Sequence, residues 1–266
     1  MSHAEPRTIY INADRVNVRH EDSALRVNRP GKAATYIPIV RIGRAVIRGC
    51  GGEELLGACL ALARAGVVIH FQDGNGQQSA WLQPSGEPKN QPAQELAALI
   101  GEHTALGPYH WWRDAQRRHC WSMVFRHSPK GDFHSGCKRL EKYLRKLSPL
   151  HWIDHEIEAL SRDLRSWLQA EIHRRGWNSV CRVLAAQGED LESELYRCLY
   201  IPLLWRFVRW RRQQSLEISE YKRLEFVELQ LANPIPRQLY RHLHALTEEY
   251  YVSWHKMSKN KVQADE

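Results

Sequence analysis

Ile37-Pro38-Ile39-Val40-Arg41-Ile42-Gly43-Arg44-Ala45-Val46-Ile47-Arg48-Gly49 leads into residues 53–65 and then Gly66-Val67-Val68-Ile69-His70-Phe71, and this succession decides the fold. The first run is rich in β-branched residues and is punctuated by proline and glycine, the pattern of strands bounded by turns. Pro38 cannot donate to a ladder, so it marks an edge strand or a strand's first residue. In residues 53–65, Leu55, Leu56, Cys59, Leu60 and Ala63 recur at helical spacing, and Gly66 supplies a stop. Val67 to Phe71 lacks polar alternation until its end, as expected of a strand covered on both faces, one of them by that helix. Asp73-Gly74-Asn75-Gly76 then predicts a hairpin turn into residues 78–82. Upstream, the turn-forming Asn12-Ala13-Asp14 and Glu21-Asp22-Ser23 separate residues 8–11, 15–19 and 24–27, which read as a meander of short antiparallel strands.

Beyond this β-rich part, Pro84-Ser85-Gly86-Glu87-Pro88-Lys89-Asn90-Gln91-Pro92 has the composition of a linker, and almost everything after it is helical. Ile153, Ile157, Leu160, Leu164, Trp167, Leu168 and Ile172 form one apolar stripe. Leu191, Leu195, Leu199, Leu203 and Phe207 form another, with Pro202 inside it. Gly176, Gly188 and Asn233-Pro234-Ile235-Pro236 break the helices, and residues 237–255 make the last. The expected class is α+β: a small N-terminal β-domain of short antiparallel strands with one helix (1–84), a linker (85–92), an all-α C-terminal domain (93–256) and a frayed polar tail (257–266).

The 266 residues carry 38 Lys and Arg against 30 Asp and Glu, a formal charge of +8. The excess is concentrated. Between His110 and Lys146 ten basic residues face three acids, which suits a polyanionic partner. The six cysteines show no CxxC pair and no spacing used by zinc sites, so they read as reduced thiols of a cytoplasmic protein. No stretch approaches the roughly 18 apolar residues of a membrane span. Ten tryptophans, several in clusters such as His110-Trp111-Trp112, read as packing for a helical core and its rim.

The order of strands, helix and hairpin in residues 8–84 resembles the N-terminal β-domain of the CRISPR spacer-acquisition integrases. That resemblance implies a DNA-binding protein that pairs through its β-domain as a homodimer, works on double-stranded or branched DNA, and joins captured fragments to a repeat array using Mg²⁺ or Mn²⁺. It also implies a small ferredoxin-like adaptation partner. In that family a glutamate on one C-terminal helix, a histidine and a later acid bind the divalent cation, because attack by a 3′-hydroxyl builds charge on phosphoryl oxygens that hard ligands and a metal can neutralise.

Ile157-Glu158-Ala159-Leu160-Ser161-Arg162 is similar to the family's glutamate helix, which makes Glu158 the first candidate ligand and catalytic residue. Lys222-Arg223-Leu224-Glu225-Phe226-Val227-Glu228 is similar to its later acidic segment, which adds Glu225 as catalytic and metal-binding and Glu228 as a further ligand. Spacing of three puts Glu225 and Glu228 on one helix face. Each also suits a solvated helix position, Glu158 beside Arg162 one turn on. The family's histidine has no counterpart in Trp210-Arg211-Arg212-Gln213-Gln214-Ser215, and its Asp-Pro-x-Asn helix start survives only as the aspartate of Asp190-Leu191-Glu192-Ser193. His173, His242 and His244 are the imidazoles available to replace it. Arg113, Arg117, Arg118, Lys138, Arg139, Lys142, Arg206, Arg209, Arg211 and Arg212 are the candidate phosphate contacts. The alternative reading is a catalytically degenerate homologue, a dimeric scaffold for DNA or a protein-interaction module.

Overall fold

The computed structural model describes residues 7–73, 78–82, 84, 90–103, 106–124, 133–146, 150–214 and 220–264. The hairpin turn expected at residues 74–77 and most of the linker at 85–92 lie outside the described residues. By contacts, the chain divides into Met1–Lys89 with Arg165–Gly176, and Asn90–Leu164 with Trp177–Glu266.

In the first unit, β1 (Arg7–Asn12), β2 (Asn17–Glu21), β3 (Ala24–Asn28), β4 (Thr35–Pro38) and β5 (Ile42–Arg48) precede α1 (Glu53–Arg64), β6 (Val68–Gln72) and β7 (Gln78–Leu82). They form two sheets, ordered β1-β5-β6-β7 and β2-β3-β4. The expected meander is therefore corrected. Only β2, β3 and β4 run antiparallel in sequence, whereas β1 leaves them and pairs in parallel with β5, which pairs in parallel with β6. A β5-α1-β6 crossover requires that parallel pairing. Pro38 ends β4, an edge strand, where its missing N–H costs no ladder bond.

One core joins both sheets to α1: Ile11, Ala45, Ile47 and Ile69 from the larger sheet, Val18, Leu25 and Val27 from the smaller, and Ala58, Cys59 and Leu62 from the helix. The alternate residues of β5 and β6, Arg44, Val46, Val68 and His70, are buried as well. The Arg44 guanidinium donates to the Ser166 hydroxyl at 2.8 Å and to the Tyr10 hydroxyl at 3.3 Å, so the Arg165–Gly176 segment is fixed to this unit by a buried polar side chain. Gly49 is required where β5 turns toward α1. It has φ of +89°, a Cβ there would overlap the Asp14 carboxylate, and Asp14 accepts from the Cys50 amide at 3.2 Å.

The second unit is helical: α2 (Gln91–His103), α3 (Gly107–Val124), α4 (Phe133–Arg145), the first part of α5 (Leu150–Arg174), α6 (Asn178–Ala186), α7 (Leu191–Arg211), α8 (Glu220–Ala232) and α9 (Pro234–Ala264). α2 begins inside the stretch read as linker. The Asn90 side chain accepts from the Ala93 amide at 3.3 Å, and Pro92 falls in the first turn, where it has no helical bond to lose. α7 is the central element, buried around its whole circumference from Leu191 to Val208, and it packs on α3, α4, α6 and α9. Asp190 caps it, accepting from the Ser193 amide at 2.9 Å. α9 runs to Ala264, past the expected end at residue 255 and through the tail read as frayed. Lys, Gln and Ala extend a nucleated helix at little cost.

Candidate nucleic-acid interface

Three of the ten candidate phosphate contacts are committed to carboxylates. Arg113 on α3 lies 3.0 Å from Glu189, and Arg117 donates through Nε at 2.9 Å to Glu194, an acid only 6% exposed at the start of α7. That bond holds the Arg117 guanidinium above its ordinary pKa. Arg211 is 3% exposed and faces Glu156 of α5 at 3.5 Å, long for a hydrogen bond. These three arginines join helices and are not presented to a ligand, which corrects the sequence expectation.

Arg118, Lys138, Arg139, Lys142, Arg209 and Arg212 are exposed, and among the described residues they form no ion pair. α4 and the end of α7 bring most of them together. The Arg212 guanidinium sits 5.9 Å from the centroid of the Tyr143 ring on α4, so the turn carrying Arg139, Lys142 and Tyr143 adjoins the turn carrying Arg209 and Arg212. Gly136 makes the α4 approach possible, since a Cβ there would overlap the Trp121 ring of α3. Arg206, one turn before Arg209, is half-buried; burial lowers its pKa, and its Nη1 has no hydrogen-bond partner among the described residues.

The acidic candidates are all exposed: Glu158 on α5, Glu225 and Glu228 on α8. Glu158 forms no pair with Arg162 among the described residues. The carboxylates that α5 turns inward are its neighbours Glu156 and Asp163, and guanidinium groups hold both. Asp163 accepts from Arg223 of α8 at 2.8 Å, and both residues are buried. Burial, opposed by Arg211, raises the pKa of Glu156. Of the histidines, His173 and His242 are buried, and exposed His244 lies 3.9 Å from Glu248. Sequence reasoning missed Glu156, Asp163, Glu189 and Glu194, whose partners lie 55 or more residues away and leave no local signal.

Structural comparison places this arrangement. A CAS1 protein from Thermotoga maritima superposes with a TM-score of 0.59 at 12% identity, covering 93% of this chain and 97% of that one. The chain has the Cas1 fold. A second Cas1, in the TtCas1–DNA complex, gives 0.56 at 15% identity over 92% of this chain and 91% of that one. A casposase bound to integration product gives 0.52 at 14% over 89% and 82%. No family profile matches the chain, and no curated protein is similar to it by sequence. The Cas1 fold thus extends over both the β-rich and the helical parts, as the turn order of residues 8–84 led us to expect. The divalent cation implied by that fold finds no set of three His, Cys, Asp or Glu side chains placed to hold it among the described residues. Glu158, Glu225 and Glu228 therefore do not make a fitting donor set as described, and the inward carboxylates are already neutralised by arginine.

Proposed function

We propose that this protein is an integrase-like DNA-binding protein of CRISPR adaptation, which grips duplex or branched DNA by its phosphates along α4 and the end of α7. The observation that carries this reading is the unpaired basic surface of Lys138, Arg139, Lys142, Arg209 and Arg212, joined across two helices by the Arg212–Tyr143 contact. The fold likeness to a Cas1 in complex with DNA and to a casposase on its integration product supports it. In this reading the protein holds DNA without metal chemistry, as a catalytically degenerate scaffold: two buried guanidinium groups neutralise the inward carboxylates of α5. It pairs as a homodimer through the N-terminal unit, whose α1 exposes Leu56 and Leu60 one turn apart at 62% and 46%. A small ferredoxin-like protein is its adaptation partner.

A second reading, favoured by the exposure of Glu158, Glu225 and Glu228 to solvent and substrate, is metal-dependent strand transfer or nicking at those residues. Labelled linear duplex and branched DNA, incubated with the protein in EDTA, Mg²⁺ or Mn²⁺, separates the two. Binding that survives EDTA and no joined or nicked product in either metal is the expected result. Product that disappears in Glu158→Ala with binding retained would establish the second reading, and failure to bind either DNA at low salt would refute both.

A further inference from the structure

Two thiols and an imidazole meet in the seam between α3, α7 and α9, away from the basic surface. Cys120 and Cys198 are each 2% exposed and His242 is 3% exposed. As a thiol, Cys120 donates to the backbone carbonyl of Cys198 at 3.1 Å; when ionised it accepts from the Cys198 thiol and faces the His242 ring. Gln116 fixes that ring, 2.8 Å from its Nδ1, while Trp112 Nε1 donates to the His242 carbonyl at 2.9 Å. The His242 Nε2 is buried with no hydrogen-bond partner among the described residues. A structural cysteine in an apolar core is an inert thiol with a raised pKa, and Cys59 and Cys137, pushed up by burial to about 11 and about 12, are of that kind. Cys120 is the opposite case: the Cys198 hydrogen bond and the His242 ring outweigh burial and hold it down to about 5.

We propose that Cys120 and Cys198 are a peroxide-reactive thiol pair, with Cys120 the attacking thiolate, Cys198 the resolving thiol and His242 the proton source. The Cys120 thiolate attacks one oxygen of a hydroperoxide, the O–O bond breaks, and His242 protonates the leaving hydroxide, giving water and a Cys120 sulfenic acid. The Cys198 sulfur then displaces the sulfenic hydroxyl, which leaves as a second water with the Cys198 proton, and a disulfide joins α3 to α7. For hydrogen peroxide the sum is two thiols plus one peroxide giving one disulfide and two waters. Sulfurs in hydrogen-bond contact need only a small shift to reach the ~2.05 Å of a disulfide. The linked helices carry Arg117–Glu194 one turn away, so the bond would stiffen the same seam those residues hold.

The test uses the full-length chain with the exposed Cys50 changed to Ser, which leaves five thiols. Reduced protein is treated with hydrogen peroxide at neutral pH, blocked with N-ethylmaleimide, unfolded and digested with trypsin. The free thiols should fall from five to three, with peptides 119–126 and 198–206 linked and released by dithiothreitol. Cys198→Ser should stop at a dimedone adduct on Cys120. His242→Gln should slow the reaction roughly tenfold, as the thiolate fraction at neutral pH falls. Five blockable thiols after native treatment, or a linked pair only in urea, would overturn the proposal. Circular dichroism of each variant distinguishes lost reactivity from lost folding.

Discussion

Arg223 on α8 donates from Nη1 to the Asp163 carboxylate on α5 at 2.8 Å, across a contact that buries both side chains. Forming such a pair repays little beyond its desolvation, but removing one partner leaves a buried charge uncompensated at a cost of about 3–5 kcal/mol. Arg223→Ala should therefore lower the melting temperature sharply. The double variant Asp163→Asn with Arg223→Met should recover most of the loss, because it leaves no orphan charge. Thermal unfolding of the three proteins measures this, and equal losses in single and double variants would mean that packing, not charge, is at stake.

Glu156 sets a pH dependence of definite sign. Burial raises its pKa above the ordinary 4.5 despite Arg211, so the folded state binds its proton more tightly than the unfolded state does. The contribution of the protonated group to stability is present below pH 4.5 and is lost as pH rises through the raised value. Relative to Glu156→Gln, the unmodified protein should lose stability over that interval and hold a constant difference above it. Urea unfolding of both proteins at a series of pH values checks the trend; a difference that grows toward acid would reverse the sign assigned here.

Gly136 tests the α3–α4 approach. Glycine inside an exposed helix costs about 1 kcal/mol relative to alanine, so Gly136→Ala would ordinarily stabilise α4. Here the new methyl would enter the Trp121 ring. Overpacking of this kind costs about 1–3 kcal/mol, enough to reverse the propensity gain. The variant should melt lower than the unmodified protein, and Gly136→Ala combined with Trp121→Leu should regain part of the difference.

How legible the fold was depends on the range of the signal. α1 and the helices from α5 to α9 were readable because their apolar spacing, Gly66, Gly176, Gly188 and the Asn233-Pro234 break are local, and each of those three glycines has positive φ. The pairing of β1 with β5 was not, because a short strand does not encode whether its partner is the next strand or one 30 residues on. The same limit governs the site. The basic run of residues 110–146 was visible as charge, yet sequence offers no means to separate Arg117, held by Glu194, from Arg118, which is exposed. Glu158 stood out by motif likeness, while Glu156 and Asp163 lie beside it without any motif and are the ones buried.

That separation supplies the last prediction. Counterion release makes the logarithm of DNA affinity fall with the logarithm of salt by about 0.9 per phosphate contacted. Each of Lys138→Ala, Arg139→Ala, Lys142→Ala, Arg209→Ala and Arg212→Ala should weaken binding to all duplex sequences alike and reduce the salt slope by about one contact, with unfolding unchanged to within about 0.5 kcal/mol for exposed sites. Arg117→Ala should behave in the opposite way: the slope stays, because its guanidinium already serves Glu194, and stability falls because that acid is 6% exposed. Fluorescence anisotropy of labelled duplex across a salt series, paired with thermal unfolding, reads both quantities on the same samples. Slopes that are unchanged in the α4 and α7 variants would place the phosphates elsewhere on the protein, and a reduced slope in Arg117→Ala with stability intact would return α3 to the binding face.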